Sequence, residues 1–154
     1  MAKCQLPMAS CQCPMGQGPI AKGQCQSPEE ENMKIESYRH LEVWQKAITL
    51  VTEIYRVSRT FPKEEIYGLT AQLRRAAVSV PANIAEGWGR NMTREFIQFL
   101  RTARGSLLEL ETHLLIAKNL EFLQTASVAD LLQTTETINK MLNGLVRSLA
   151  ASTR

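Results

Sequence analysis

A chain of 154 residues, 44% of them hydrophobic and only 6% aromatic, is long enough for one domain with a true core. No apolar run approaches the roughly 18 residues that a membrane-spanning helix needs, and the N-terminus lacks a secretory signal's continuous apolar stretch. The expectation is a cytoplasmic protein with no membrane partner, and the net charge of +3 is too small to indicate nucleic acid unless the charges are clustered.

Residues 1–37 read as a separate, disordered tail. Pro7, Pro14, Pro19 and Pro28 interrupt a Gln-containing stretch with neither helical nor alternating apolar pattern. All four cysteines lie here, as Cys4, Cys11, Cys13 and Cys25, a spacing without the paired C-x2-C knuckles of structural zinc. The tail is therefore read as solvated and reduced, with no metal, and Met33 is a second candidate start. Residues 34–154 carry sixteen basic and twelve acidic side chains, a net +4. The folded domain is expected over residues 38–150.

Helix 1 is predicted from His40 to about Thr60. Steps of 100° put Leu41, Trp44, Ile48, Val51 and Tyr55 on one stripe and Val43, Ala47, Leu50, Ile54 and Val57 on the next. The combined arc spans about 200°, wider than the roughly 100° that one core contact requires. Two readings stay open: a wide core face, or a Val43, Ala47, Leu50, Ile54, Val57 stripe turned toward a second subunit or a partner protein.

Phe61-Pro62 ends helix 1, and Glu64 and Glu65 suit the first turn of helix 2, where carboxylates favour the positive end of the helix dipole. Ile66, Leu69, Leu73, Ala76, Ala77, Val80 and Ile84 form its apolar face. Pro81 lies inside that pattern and predicts a kink. Gly87 and Gly89 are expected to make a tight turn, with Asn91 or Thr93 capping helix 3. Helix 3 should run from Thr93 to Asn119, about 40 Å at 1.5 Å per residue. Phe96, Phe99, Leu100, Ala103, Leu107, Leu110, Leu114 and Ala117 face inward, and Gly105-Ser106 suggests a close approach of backbones. Helix 4 follows from about Ala126 to Leu149, on the apolar face Val128, Leu131, Leu132, Ile138, Leu142, Leu145, Val146 and Leu149. The fold class is all-α, and short connectors make an antiparallel up-down four-helix bundle the simplest topology.

Chemistry is scarce in this pattern. The helical region offers only His40 and His113, no cysteine, no Glu-x-x-His pair, no phosphate-binding glycine loop and no nucleophile elbow. Asn83, Glu86 and Glu95 are explained by capping and inter-helix hydrogen bonds, so the chain is read as a non-enzyme without cofactors. The arginines carry more information. Arg94, Arg101 and Arg104 fall within about 80° on helix 3, Arg90 precedes them, and Arg74 and Arg75 project from helix 2. A row of guanidinium groups at helical spacing follows a phosphate backbone without reading bases. Ile97, Leu108 and Leu115 share that side of helix 3, so part of the surface also fits an oligomer contact.

The run from Arg74 to Gly87 (RRAAVSVPANIAEG) with Gly89-Arg90, the runs Glu95–Leu100 (EFIQFL) and Gly105–Glu111 (GSLLELE), and the opening Leu41–Ala47 (LEVWQKA) together resemble a known family. It comprises four-helix-bundle proteins encoded in intervening sequences of bacterial 23S ribosomal RNA genes, similar to the accessory variability determinant proteins of diversity-generating retroelements. The resemblance covers about residues 38–123, and helix 4 fits by pattern alone. It implies an antiparallel four-helix protomer, a ring-like homopentamer, and a basic surface associated with RNA, DNA or a reverse transcriptase, but no reaction. Its matched basic positions are Arg74, Arg75 and Arg90; Arg94, Arg101 and Arg104 rest on the helical-face argument. The cysteine-bearing tail has no counterpart in the family. The function expected is a homo-oligomeric scaffold for nucleic acid, with a protein-docking module that binds no nucleic acid as the alternative.

Overall fold

The computed structural model describes residues 37–152. The predicted tail, its four cysteines and Met33 lie outside the described residues, apart from Ser37. The Ser37 hydroxyl accepts a hydrogen bond from the Arg39 N–H at 3.3 Å and starts a short 3-10 turn over Tyr38–His40.

Four long helices follow, α1 (Glu42–Val57), α2 (Leu69–Gly89), α3 (Thr93–Asn119) and α4 (Thr125–Ala151), and there is no strand among the described residues. Each reflects an apolar stripe recurring every three to four residues, whose burial offsets the conformational entropy lost on ordering. The stripes meet in one core. Leu50 and Ile54 of α1, Leu73 and Ile84 of α2, Leu100, Leu107, Leu110 and Leu114 of α3, and Ile138 and Leu142 of α4 are each at most 2% exposed. Helices α1 and α3 each pack on both α2 and α4, and the α2–α3 pair is the most extensive.

The wide arc of α1 is divided differently from the interface reading. Val43, Ala47, Leu50 and Ile54 are buried in the protomer's own core, with Val57 half-buried, so the second-subunit assignment of this stripe is corrected. The neighbouring stripe is divided: Leu41 is buried, Trp44 and Val51 are half-buried against the core, and Ile48 and Tyr55 are exposed. Periodicity showed two stripes about 100° apart but held no information on which would meet α2 and α4.

Helix 2 also starts later than expected. Lys63–Ile66 form a separate 3-10 turn, and Ile66 is 50% exposed instead of lying in the core. Gly68, at φ −93° and ψ −124°, interrupts the chain before α2. Glu65 still serves the helix start, because its Oε2 accepts a hydrogen bond from the Leu69 N–H at 2.9 Å. Past this point α2 continues through the buried Pro81 without a break, since burial of Val80 and Ile84 on either side outweighs one missing backbone donor.

The two glycine expectations exchange places. Gly87 is no turn residue: it is buried inside α2, and a Cβ there would lie 2.6 Å from Phe99 Cβ and 2.9 Å from Phe96 Cδ2. Its missing side chain is what lets α2 and α3 approach. Gly105, by contrast, has open space around it, and the contact at that level is Ser106, whose Oγ lies 2.8 Å from Ser79 Oγ. The α2–α3 reversal is turned by Asn91 at φ 55°, and the N-cap position of α3 is Met92, with no side-chain hydrogen bond from Asn91 or Thr93.

Candidate nucleic-acid interface

The six arginines separate into two groups. Arg74 is half-buried; its Nε donates to Ser58 Oγ at 2.8 Å, and its guanidinium carbon lies 4.9 Å from the Tyr55 ring centroid. It braces α2 against the end of α1. Arg75 points toward α3, donating from Nη2 to Glu109 Oε1 at 3.3 Å, and Glu109 Oε1 is also 3.5 Å from His113 Nε2. Arg90 donates to Glu86 Oε1 at 2.9 Å with its guanidinium 5.5 Å from the Phe99 ring centroid. The hydrogen bond to Glu86, followed by that carboxylate's charge, holds the Arg90 proton still more firmly than usual.

Arg94, Arg101 and Arg104 form the second group. All three are exposed on α3, and none has an ion-pair, hydrogen-bond or ring partner among the described residues. Phe96, Leu100, Ala103 and Leu107 point the opposite side of α3 into the core, which fixes the arginines outward. Arg94 and Arg101 are about 10 Å apart along the axis, with Arg104 one turn further. Unpaired guanidinium groups lose no internal partner on meeting phosphate, so this row is better suited to an anionic backbone than the three arginines engaged within the protomer.

Arg147 was missed in the sequence. It is exposed on α4, two residues before Leu149, which lines the same cleft as Thr93 and Phe96. It therefore belongs to the Arg94 end of the fold. No periodicity within α4 signals this, because it depends on which end of α4 meets which end of α3. The exposed side of α3 continues past the arginines into Leu108, Leu115 and Ile116, each 40–46% exposed, so basic and apolar halves share one helix.

Of Asn83, Glu86 and Glu95, the first two have hydrogen-bond or ion-pair partners, and Glu95 is exposed without one among the described residues. Asn83 Nδ2 donates to the Ser79 carbonyl at 2.7 Å and to Ser79 Oγ at 2.9 Å, and Glu86 pairs with Arg90. Among the described residues no three His, Cys, Asp or Glu side chains come together as a metal site, and no helix is long and apolar enough to cross a membrane.

Four helices around one core with an arginine row on the third is also the setting in which the sequence matches a family model, that of the 23S rRNA-intervening sequence protein, over residues 39–144. The chain belongs to this family. A solved structure is similar in fold: a protein of unknown function from the S23 ribosomal protein family of Bacteroides thetaiotaomicron VPI-5482, at 21% identity and a TM-score of 0.63, covering 68% of this chain and 97% of that one. No curated protein matches the chain. The family match ends at residue 144, whereas α4 continues to Ala151 and carries Arg147 beyond it.

Proposed function

We propose that this family member is a non-enzymatic, homo-oligomeric scaffold that binds RNA or DNA through the α3 arginine row, as a cytoplasmic accessory to a reverse transcriptase of the retroelement type. The observation that carries the reading is the set Arg94, Arg101 and Arg104, outward on one helix and without partners among the described residues. The family's association with a ribosomal RNA gene supports a nucleic-acid setting. Contacts to phosphate dominate such binding, so affinity falls steeply with salt.

The protomer in this proposal is an antiparallel up-down bundle. Supporting that direction, residue numbers fall on α3 as they rise on α2, through the pairs Arg75 and Glu109, Ser79 and Ser106, and Gly87 and Phe99. Self-association into a ring, with five subunits as the count expected from the family resemblance, uses the outward residues of α1. Ile48, Tyr55 and, on the neighbouring face of α2, Val78 are 39–42% exposed, and the Arg74–Tyr55 contact joins the two helix faces. These same residues support the second reading, a module that docks a partner protein and binds no nucleic acid.

The test is fluorescence anisotropy of the full chain with labelled single-stranded and structured RNA over a salt series, comparing wild type with Arg94→Glu/Arg101→Glu. Salt-sensitive binding, abolished in the variant with helicity intact, is the expected result. No binding by the wild type at low salt would overturn the proposal in favour of the protein-docking reading.

A further inference from the structure

Beside the arginine row, the α2–α3 reversal encloses a cleft of about 230 Å³ lined by Gly87, Trp88, Asn91, Met92, Thr93, Phe96 and Leu149. Local preferences are set aside here. The N-cap position, which favours Ser, Thr, Asp or Asn, holds Met92, a side chain left 61% exposed. Such a departure from local rules is expected where a site, not the fold, sets the sequence.

The lining is mainly aromatic and apolar, with Asn91 and Thr93 as its polar members. Trp88 and Phe96 stand nearly perpendicular, at 88° with centroids 5.9 Å apart, and Met92 adds a polarizable thioether. Arg94 follows the lining residue Thr93 on the α3 side, and Arg90, next to Asn91 in the chain, is held by Glu86. The Asn91 side-chain amide, which both donates and accepts, has no hydrogen bond among the described residues. The cleft is smaller than the roughly 300–1,000 Å³ of sites for drug-sized ligands and fits a single planar heterocycle.

Resting on the nucleic-acid reading above, we infer that this cleft receives one unstacked nucleobase of a single strand, held against Trp88 and Met92 while Arg94 takes a flanking phosphate. Single strands are recognised in this way elsewhere: splayed bases stack on aromatic side chains, and the backbone follows cationic groups. The arginine row then acts as a track that leads a strand into a base-sized stop at the helix reversal. The preference is for strand ends, loops and bulges over continuous duplex, because a paired base reaches the cleft only after leaving its stack.

The experiment uses the full chain carrying Trp44→Phe, which leaves Trp88 as the reporter, with a labelled thymidine 12-mer and a fully abasic strand of equal length and charge. At one salt concentration the thymidine strand binds roughly 5- to 150-fold more tightly, the range for one stacked base, and quenches Trp88 fluorescence. Met92→Glu, at an exposed position, removes the preference and the quenching while circular dichroism is unchanged. Equal affinity for the two strands would overturn the cleft assignment and leave the arginine track standing, whereas failure of both strands to bind would remove the nucleic-acid reading itself. A preference that persists in Met92→Glu would place base contact elsewhere on the protein and overturn the inference.

Discussion

Alanine placed at Gly87 and at Gly105 should move stability in opposite directions, although both glycines lie inside helices. In each case the unfolded chain loses freedom and the helix gains a better former, a benefit of about 1 kcal/mol. At Gly105 nothing among the described residues lies within 4 Å of the new methyl, so that benefit is the whole effect. At Gly87 the methyl meets Phe99 Cβ at 2.6 Å, an atom fixed to the α3 backbone that cannot rotate away. Relief requires α2 and α3 to separate, which places the cost near the upper end of the roughly 1–3 kcal/mol typical of overpacking. The net expectation is destabilisation of about 2 kcal/mol for Gly87→Ala and stabilisation of about 1 kcal/mol for Gly105→Ala. Urea denaturation followed by helical circular dichroism at one protein concentration reads both. At about 4 °C per kcal/mol, melting points should move about 8 °C down and 4 °C up. If Gly87→Ala is as stable as Gly105→Ala, the close α2–α3 approach is wrong, and with it the geometry of the cleft at their reversal.

Further outcomes follow from burial and charge. Leu50→Glu, at a side chain 2% exposed, should abolish folding, whereas Ile48→Glu, at 39% exposure two residues earlier, should keep full helicity and lower the assembly mass seen by light scattering. An unchanged mass for Ile48→Glu would exclude this stripe from self-association. Leu107→Ala, in the middle of α3 at 0% exposure, should cost about 2–5 kcal/mol in urea denaturation. Lys140 Nζ sits 2.7 Å from Glu136 Oε1, and this hydrogen bond, with the ammonium charge, holds the carboxyl below its ordinary 4.5. The sign follows: the pair's small stabilisation is complete above pH 4.5 and fades as pH falls through the lowered folded value. NMR titration should therefore show the Glu136 carboxyl moving upward in Lys140→Met.

Much of the fold was legible because burial leaves a direct mark on a helical sequence. Each helix must bury a stripe at a period of 3.6, so α3 could be placed over Thr93–Asn119 although the turn and cap expected before it were wrong, and the outward direction of Arg94, Arg101 and Arg104 followed as its complement. The exclusion of Ile66 from α2 was not legible, since it depends on the backbone angles of Gly68 and not on the hydropathy of its neighbours.

What the sequence determined by itself is whatever depends on a residue's position within its own helix: four helices, the core faces of α3 and α4, the arginine row and the family motif. What only the tertiary structure decided is whatever depends on the distance between helices. It buried the Val43 to Ile54 stripe and left Ile48 and Tyr55 outward, turned Gly87 into the point of closest approach, engaged Arg74, Arg75 and Arg90 internally, and brought Leu149 to the cleft formed by Trp88, Met92 and Phe96. The physical reason is that periodicity is local, repeating every turn of one helix, whereas contacts between helices are set by packing residues far apart in the chain, whose spacing leaves no period to read.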